Sequence, residues 1–406
     1  MTQLNFTMES EEFVSLTLLP QDEAFRKLFS TLLNQVLEAE CEMQLEAKRY
    51  ERSDNRKGYR NGYYTRSLNT RLGEIPLKVP RIRNEPLETF LFENYQMSEV
   101  ALMSALMQMV IEGVSTRKIA RITQELCGTE FTKSTVSRIC KKLDPEVQSF
   151  KNRELKNIYP FVFLDATYIK IREEHRVQDK ALMVALAFNA EGIMEVIGFD
   201  IYDSESNISW ESFVKTLKDR GLRNVDYFIS DNSSSIKRAL RSQYGRYKWQ
   251  HCQAHLTREI LDEVKNKEER KALNSELYEM FYSKEPAKAR ERRDIIYDKY
   301  EEKYPKAMKI MDENFEDAIR VMEIPVCEIQ RRIRTTNPIE RLNREIKRRT
   351  KVVGIFPDRS SAIRLIGEVL MNINDLLLMK RPLEINKYLK THRYVIGFPA
   401  FGQEAN

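Results

Sequence analysis

Glu340 stands in the densest concentration of positive charge in the chain, the stretch Ile333 to Pro357, IRTTNPIERLNREIKRRTKVVGIFP. Between Arg331 and Lys351 nine Lys and Arg face two Glu, an excess of seven where all 406 residues together carry +6, so the remainder is close to neutral. Glu340 in such company suits two roles. It can belong to a capping box, with Asn337 as N-cap, Pro338 at the first helical position and Glu340 reaching back to the cap N–H. It can instead be a metal ligand beside a phosphodiester backbone, because Arg forks match phosphate oxygens bidentately. Arg334, Arg341, Arg344, Lys347, Arg348 and Arg349 are then the candidate phosphate contacts. Ile339, Leu342, Ile346 and Val353 recur at helical spacing as the buried stripe.

Two further carboxylates interrupt apolar runs. IYPFVFLDATYIKIR is apolar on both faces through Leu164, as a central strand of a covered sheet reads, and Asp165 breaks it. A carboxylate there is costly unless it meets a cation or several donors; otherwise it is a turn residue at a strand end. VDYFIS runs into Asp231, which is either a second such acid or a plain N-cap before the serines of SSSIKRALRSQY. KALMVALAFN and IMEVIGFDIY read as strands, and ESNISWESFVKTLKDRGL as a helix with Trp210, Phe213, Val214 and Leu217 inward. Three strands, a helix, a strand ending in a carboxylate and a helix is the order of an RNase H-like α/β domain, which would set Asp165 and Asp231 on neighbouring strands. In HCQAHLTREI, Cys252 and His255 lie three apart on an expected helix. Structural zinc needs about four ligands, so packing or hydrogen bonding beside the sheet is the better reading of that pair.

The elements around these acids follow from composition and period. Residues 1–50 read as a helical segment, too apolar for a lone surface helix and so a candidate dimer contact. Residues 51–95 form a small strand-rich region with Arg, Lys and Tyr interleaved, suited to phosphate contact and stacking, or simply a solvated hairpin. Residues 96–150 carry a helix-turn-helix pattern: Ser115 as cap, Ile119 and Ile122 inward, a break at Gly128, then Val136, Ile139 and Leu143 inward. Arg117, Lys118, Lys133, Ser134, Thr135 and Arg138 are left to meet a major groove, unless the two helices merely pack. Residues 151–255 read as the first part of the RNase H-like α/β core, 256–330 as an all-α insertion broken near Lys267, Pro286 and Pro305, 331–390 as the second part of the core with the Glu340 helix, and 391–406 as a tail. With 42% apolar and 32% charged residues the chain reads as a globular protein. No apolar run reaches the ~18–20 residues needed to span a bilayer, and the first residues lack a secretory pattern, so neither a membrane partner nor export is expected. The five scattered cysteines, Cys41, Cys127, Cys140, Cys252 and Cys327, read as reduced thiols, most of them buried.

FLDATYIKIR, DSESNISWESFVKTLKDRGL, ISDNSSSIKRAL, WQHCQAHLTREI and RTTNPIERLNREIKRRTKVVGIFP, in that order and with GYRNGYYTRSLNTRLGEIPLKVPRIR upstream, resemble the mutator-type transposases of bacterial insertion sequences. The resemblance covers most of the chain. It implies a DDE triad at Asp165, Asp231 and Glu340 on an RNase H-like fold with an all-helical insertion, holding two Mg²⁺ or Mn²⁺ ions, and it matches Cys252 and His255 to a C-x-x-H. It also implies double-stranded DNA partners, the terminal inverted repeats and a target, in an assembly of at least two copies within the bacterial cytoplasm, at the nucleoid. Asn232 departs from the Gly or Ala that such chains would place after the second Asp. A DNA-binding regulator without catalysis, and a nuclease of this fold without strand transfer, are the competing expectations.

Overall fold

The computed structural model describes residues 19–51, 56–70, 73–83, 85–87, 89, 100–127, 131–156, 158–244 and 247–396. Two compact units divide the chain, Met1–Lys142 and Leu143–Asn406.

In the first unit, helix α1 (Gln21–Leu45) lies against an antiparallel hairpin, β1 (Arg60–Thr70) and β2 (Gly73–Ile82). The alternation Ile75, Leu77, Val79 turns one face of β2 inward, where these residues bury Leu37 of α1 together with Leu68. Phe25 and Phe29, nearer the start of α1, remain 50% and 40% exposed. Helices α2 (Val100–Ile111), α3 (Thr116–Cys127) and α4 (Lys133–Cys140) enclose a small core of Met103, Leu106, Ile119, Phe131, Val136 and Ile139. Thr132 caps α4 by accepting from the Thr135 N–H at 3.2 Å. Gly128, the expected break between α3 and α4, lies outside the described residues, as do the side chains of Cys127 and Lys133.

The second unit opens with α5 (Asp144–Asn152) and is built on a five-stranded mixed sheet, ordered β5-β4-β3-β6-β7. Strands β3 (Phe161–Glu173), β4 (Arg176–Phe188) and β5 (Met194–Tyr202) form an antiparallel meander; β6 (Tyr227–Ser230) and β7 (Lys248–His251) add on parallel. The continuous apolar runs anticipate this, because both faces of β3 and β4 are covered. One face carries α6 (Asn207–Asp219) and α7 (Ser234–Gln243), whose Trp210, Phe213, Leu217 and Leu240 bury Leu164, Met183, Ala185 and Phe228. Each such side chain removed from water contributes roughly 1.5–3 kcal/mol. The β4–β5 turn needs Gly192: at φ +78° a Cβ there would come within 1.8 Å of the Leu383 carbonyl oxygen.

A string of helices follows β7: α8 (Gln253–Asp262), α9 (Lys267–Phe281), α10 (Pro286–Tyr300), α11 (Pro305–Ile319) and α12 (Cys327–Ile333). The side-chain amides of Gln250 and Gln253 both donate to the Ala318 carbonyl at 2.7 Å, pinning the end of α11 to the β7–α8 junction. The chain then returns to the sheet as α13 (Asn337–Val353), which packs on β3 and β4, and α14 (Arg359–Leu378), which packs on β5 and α5. The last helix, α15 (Asn386–Ile396), continues through Thr391, where a tail was expected; residues 397–406 lie outside the described residues. Cys41, Cys140 and Cys252 are buried and Cys327 is exposed. Among the described residues no helix is long and apolar enough to cross a membrane.

Candidate active site

Asp165 lies within β3, not at its end, so the turn alternative is set aside. The parallel register pairs Phe163 with Ile229; Asp165 lies two residues further along β3, and Asp231 two residues on, just past the C-terminal end of β6, close enough for its charge to be felt at Asp165. Asp231 is not a helix cap: Ser233 fills that place by accepting from the Ile236 N–H. Asn232, behind Asp231, donates to Asn314 of α11 and accepts from Lys237, both at 2.8 Å, a tie that Gly or Ala could not make.

Helix α13 packs on β3 and β4 and is anchored at both ends. Past its C-terminus, Phe356 donates to the Lys170 carbonyl and accepts from the Arg172 N–H, each at 2.9 Å, as a short parallel bridge to β3. Before its N-terminus, the Arg334 carbonyl accepts from the Gln253 N–H at 3.0 Å. The Cys252 thiol, fully buried, accepts from both the N–H and the hydroxyl of Thr336 at 3.2 Å. The N-cap of α13 is Thr336 rather than Asn337, and no side chain closes the cap. The capping box is therefore not formed, and Glu340 points elsewhere. Its Oε1 lies 3.4 Å from His255 Nε2 and 3.5 Å from the Thr336 hydroxyl, while His255 Nδ1 is 3.3 Å from that same hydroxyl. Thr336 has one proton to donate among these acceptors, so its hydroxyl orders the group rather than satisfying all of it.

Charge in this cluster is tightly coupled. Burial, with the nearby Asp231, pushes the Asp165 carboxyl up to about 7 against the opposing donors Ala166 N–H and Asn343. Burial also raises Asp231, with His255 opposing. The hydrogen bond with Cys252 lifts His255 to about 9, and the Cys252 thiol is lowered in return, although burial opposes its charge. Two more acids feel the same field, since burial and Asp231 raise Glu205, and burial raises Glu259. The chemistry of the donors fits a hard divalent cation: two partly desolvated carboxylates lie close enough that the charge of Asp231 raises Asp165, a cost that a cation would remove. Among the described residues no three His, Cys, Asp or Glu side chains are gathered in metal-holding geometry, because Glu340 is turned to His255 and Thr336.

The basic residues separate into two groups. Arg341, Arg344, Lys347 and Arg348 are exposed on α13 and Arg349 is half-buried; Arg348 is paired with Glu345 at 2.9 Å. Arg334 departs from the expectation of a phosphate contact: only 7% exposed, it lies 4.0 Å over the Tyr282 ring and donates to the Phe281 carbonyl. In the first unit Arg117, Lys118, Ser134 and Arg138 are exposed, whereas the hydroxyls of Ser134 and Thr135 are engaged with Thr132. Two residues were missed by the reading of the sequence, Thr336 and Asn343. Asn343 carried a signal, since it is polar within the apolar stripe Ile339, Leu342, Ile346.

The model of the family described as "Transposase, Mutator family" matches residues 1–378. The chain is similar to the transposase for insertion sequence element IS256 in transposon Tn4001 of Staphylococcus aureus, 40% identical over 380 residues, 92% of this chain and 96% of the relative. It is similar to the transposase for insertion sequence element ISRM5 of Rhizobium meliloti, 34% identical over 372 residues, 92% of each. A third relative, the transposase for insertion sequence element IS1081 of Mycobacterium tuberculosis, is 33% identical over 355 residues, 87% of this chain and 85% of its own length.

Proposed function

The chain belongs to the Mutator family of transposases, and from that premise we propose that it binds the ends of its own insertion sequence, nicks the DNA there and joins the freed 3′-OH to another phosphodiester. The observation that carries the reading is the nearness of Asp165, within β3, to Asp231, just past the end of the parallel neighbour β6, with the helix that bears Glu340 packed on β3. A strand order of β5-β4-β3-β6-β7, with an antiparallel meander followed by parallel strands, supports an RNase H-like core. We read α8–α12 as its all-α insertion, and α3 and α4 as a helix-turn-helix.

Asp165, Asp231 and Glu340 would hold two Mg²⁺ or Mn²⁺ ions, which when bound activate an attacking oxygen and stabilise a leaving one. The chain's own residues do the remaining work. Arg341, Arg344, Lys347 and Arg348 line the exposed side of α13, where they would grip the backbone of the scissile strand. His255 and Thr336 hold the Glu340 carboxylate in place at the N-terminal end of α13. In the first step water attacks the phosphorus at the element end, the P–O3′ bond breaks and the 3′ oxygen leaves as a hydroxyl. In the second the freed 3′-OH attacks a target phosphodiester, and that target's own 3′ oxygen leaves. Only the nucleophile changes, so one set of carboxylates serves both steps. Joining two element ends calls for at least two copies of the chain, with α1 as a contact, acting on nucleoid DNA in the cytoplasm.

The test is incubation of the purified protein and Mg²⁺ with labelled DNA from the borders of its own gene, comparing wild type with Glu340→Gln. Metal-dependent nicking that falls by about 10³-fold or more in the variant, with DNA binding retained, is the expected result. Binding without cleavage by either protein, across borders and metals, would leave a DNA-binding regulator instead.

A further inference from the structure

Asn343 sits on α13 one turn after Glu340, at i+3, so the two side chains share a side of the helix. It is 6% exposed, and its Nδ2 donates to Asp165 Oδ2 at 2.8 Å. The other Asp165 oxygen accepts from the Ala166 N–H at 2.9 Å, so this carboxylate is fixed at both oxygens, once by its own strand and once by the helix. An Asn facing a carboxylate presents its NH₂, which turns its carbonyl away from Asp165. That Oδ1 is buried and finds no partner in the protein. A buried acceptor left unpaired costs about 1–3 kcal/mol, and nothing in the packing of α13 requires an amide here, since the neighbouring inward positions are Ile339, Leu342 and Ile346.

We propose that Asn343 is a positioning residue of the metal site. It locks the Asp165 carboxylate to the helix carrying Glu340, and its unpartnered Oδ1 would accept from water bound to a divalent ion held by those carboxylates. Ligating carboxylates are oriented by such hydrogen-bonded partners, whose loss weakens metal binding roughly 10- to 100-fold. The inference rests on the reading of Asp165, Asp231 and Glu340 as ligands, and its test separates the two.

Mn²⁺ is titrated calorimetrically into the full-length protein without DNA, for wild type, Asn343→Leu, Asn343→Ala and Asp165→Asn, with folding checked by circular dichroism. The expected result is Mn²⁺ uptake by wild type, an affinity lower by about 10- to 100-fold in whichever Asn343 variants fold, and a larger loss in Asp165→Asn. A purely structural Asn343 would instead lower the unfolding midpoint in EDTA and leave Mn²⁺ affinity within a factor of two of wild type, which would overturn the proposal. Should neither Asn343 variant fold, the rise in unfolding midpoint with Mn²⁺ is read on Asn343→Ser, whose shorter side chain cannot span to Asp165, and a wild-type rise there counts against it. Absence of Mn²⁺ uptake by wild type would remove the metal reading itself, and this inference with it.

Discussion

Thr336 shows how much of this site depends on a residue that carries no charge. Its N–H and hydroxyl both reach Cys252, and the same hydroxyl lies within reach of His255 and Glu340, so one small side chain sets where the acid of α13 points. Thr336→Val removes that hydroxyl with little change of shape. It is expected to destabilise the protein by about 0.5–1.5 kcal/mol in urea unfolding and to slow border-DNA nicking by roughly 10- to 100-fold. Thr336→Ser should retain most of both, and a Val variant that nicks at the wild-type rate would remove Thr336 from the site. Asp165 stood out in the sequence because it interrupts an apolar run, and Glu340 because basic residues crowd around it; Asp231 read equally well as an N-cap until the family resemblance joined the three. Thr336 was not, because a threonine before a helix is ordinary until its partners, 81 and 84 positions away, are seen. The capping-box reading of Glu340 failed for the same reason: local spacing cannot register that His255 competes for the carboxylate.

Helix α14 carries the clearest pH dependence at the level of an element. It is clamped to α5 by the two-pronged pair of Arg364 with Asp144, at 2.6 and 2.9 Å, and one turn on it buries Glu368 to 6% exposure with Oε1 unpartnered. Burial, aided by Glu146, pushes the Glu368 carboxyl up to about 7 from its ordinary 4.5. Because the folded value lies above the unfolded one, the stability this group contributes is full below about pH 4.5 and is lost as pH rises through about 7. Glu368→Gln, which cannot ionise, should therefore stabilise the larger unit by about 1–3 kcal/mol at pH 8 and leave it nearly unchanged at pH 4.5. Urea unfolding at the two pH values measures the difference, and an equal effect at both would contradict the assignment. The α14 stripe itself was readable from Ile363, Ile366, Leu370 and Ile373, of which Ile366 and Leu370 are buried while Ile363 and Ile373 are half-buried. That an acid shares the buried side was not readable, since helical period marks where apolar residues recur and says nothing of a neighbouring helix that closes over a Glu.

Across the molecule, the strands and helices of the larger unit followed from long apolar runs and their punctuation, and the breaks at Lys267, Pro286 and Pro305 mark where α9, α10 and α11 begin. What joins them did not follow. The bridge of Phe356 to β3, the glutamines on Ala318 and the stacking of Arg334 on Tyr282 are all long-range, and the last of these withdraws a cation that charge density alone assigned to DNA. On the proposed mechanism one carboxylate site, served by the whole chain, both releases a 3′-OH and uses it. The most direct test supplies border DNA already nicked at the element end, with a 3′-OH or a 3′-deoxy terminus, together with the full-length protein, Mg²⁺ and a circular target. Covalent joining of the 3′-OH substrate to the target, absent with the 3′-deoxy terminus and with Asp231→Asn, is the predicted result. Equal recovery of unjoined DNA from both termini, while intact border DNA is still nicked, would contradict it and leave a nuclease.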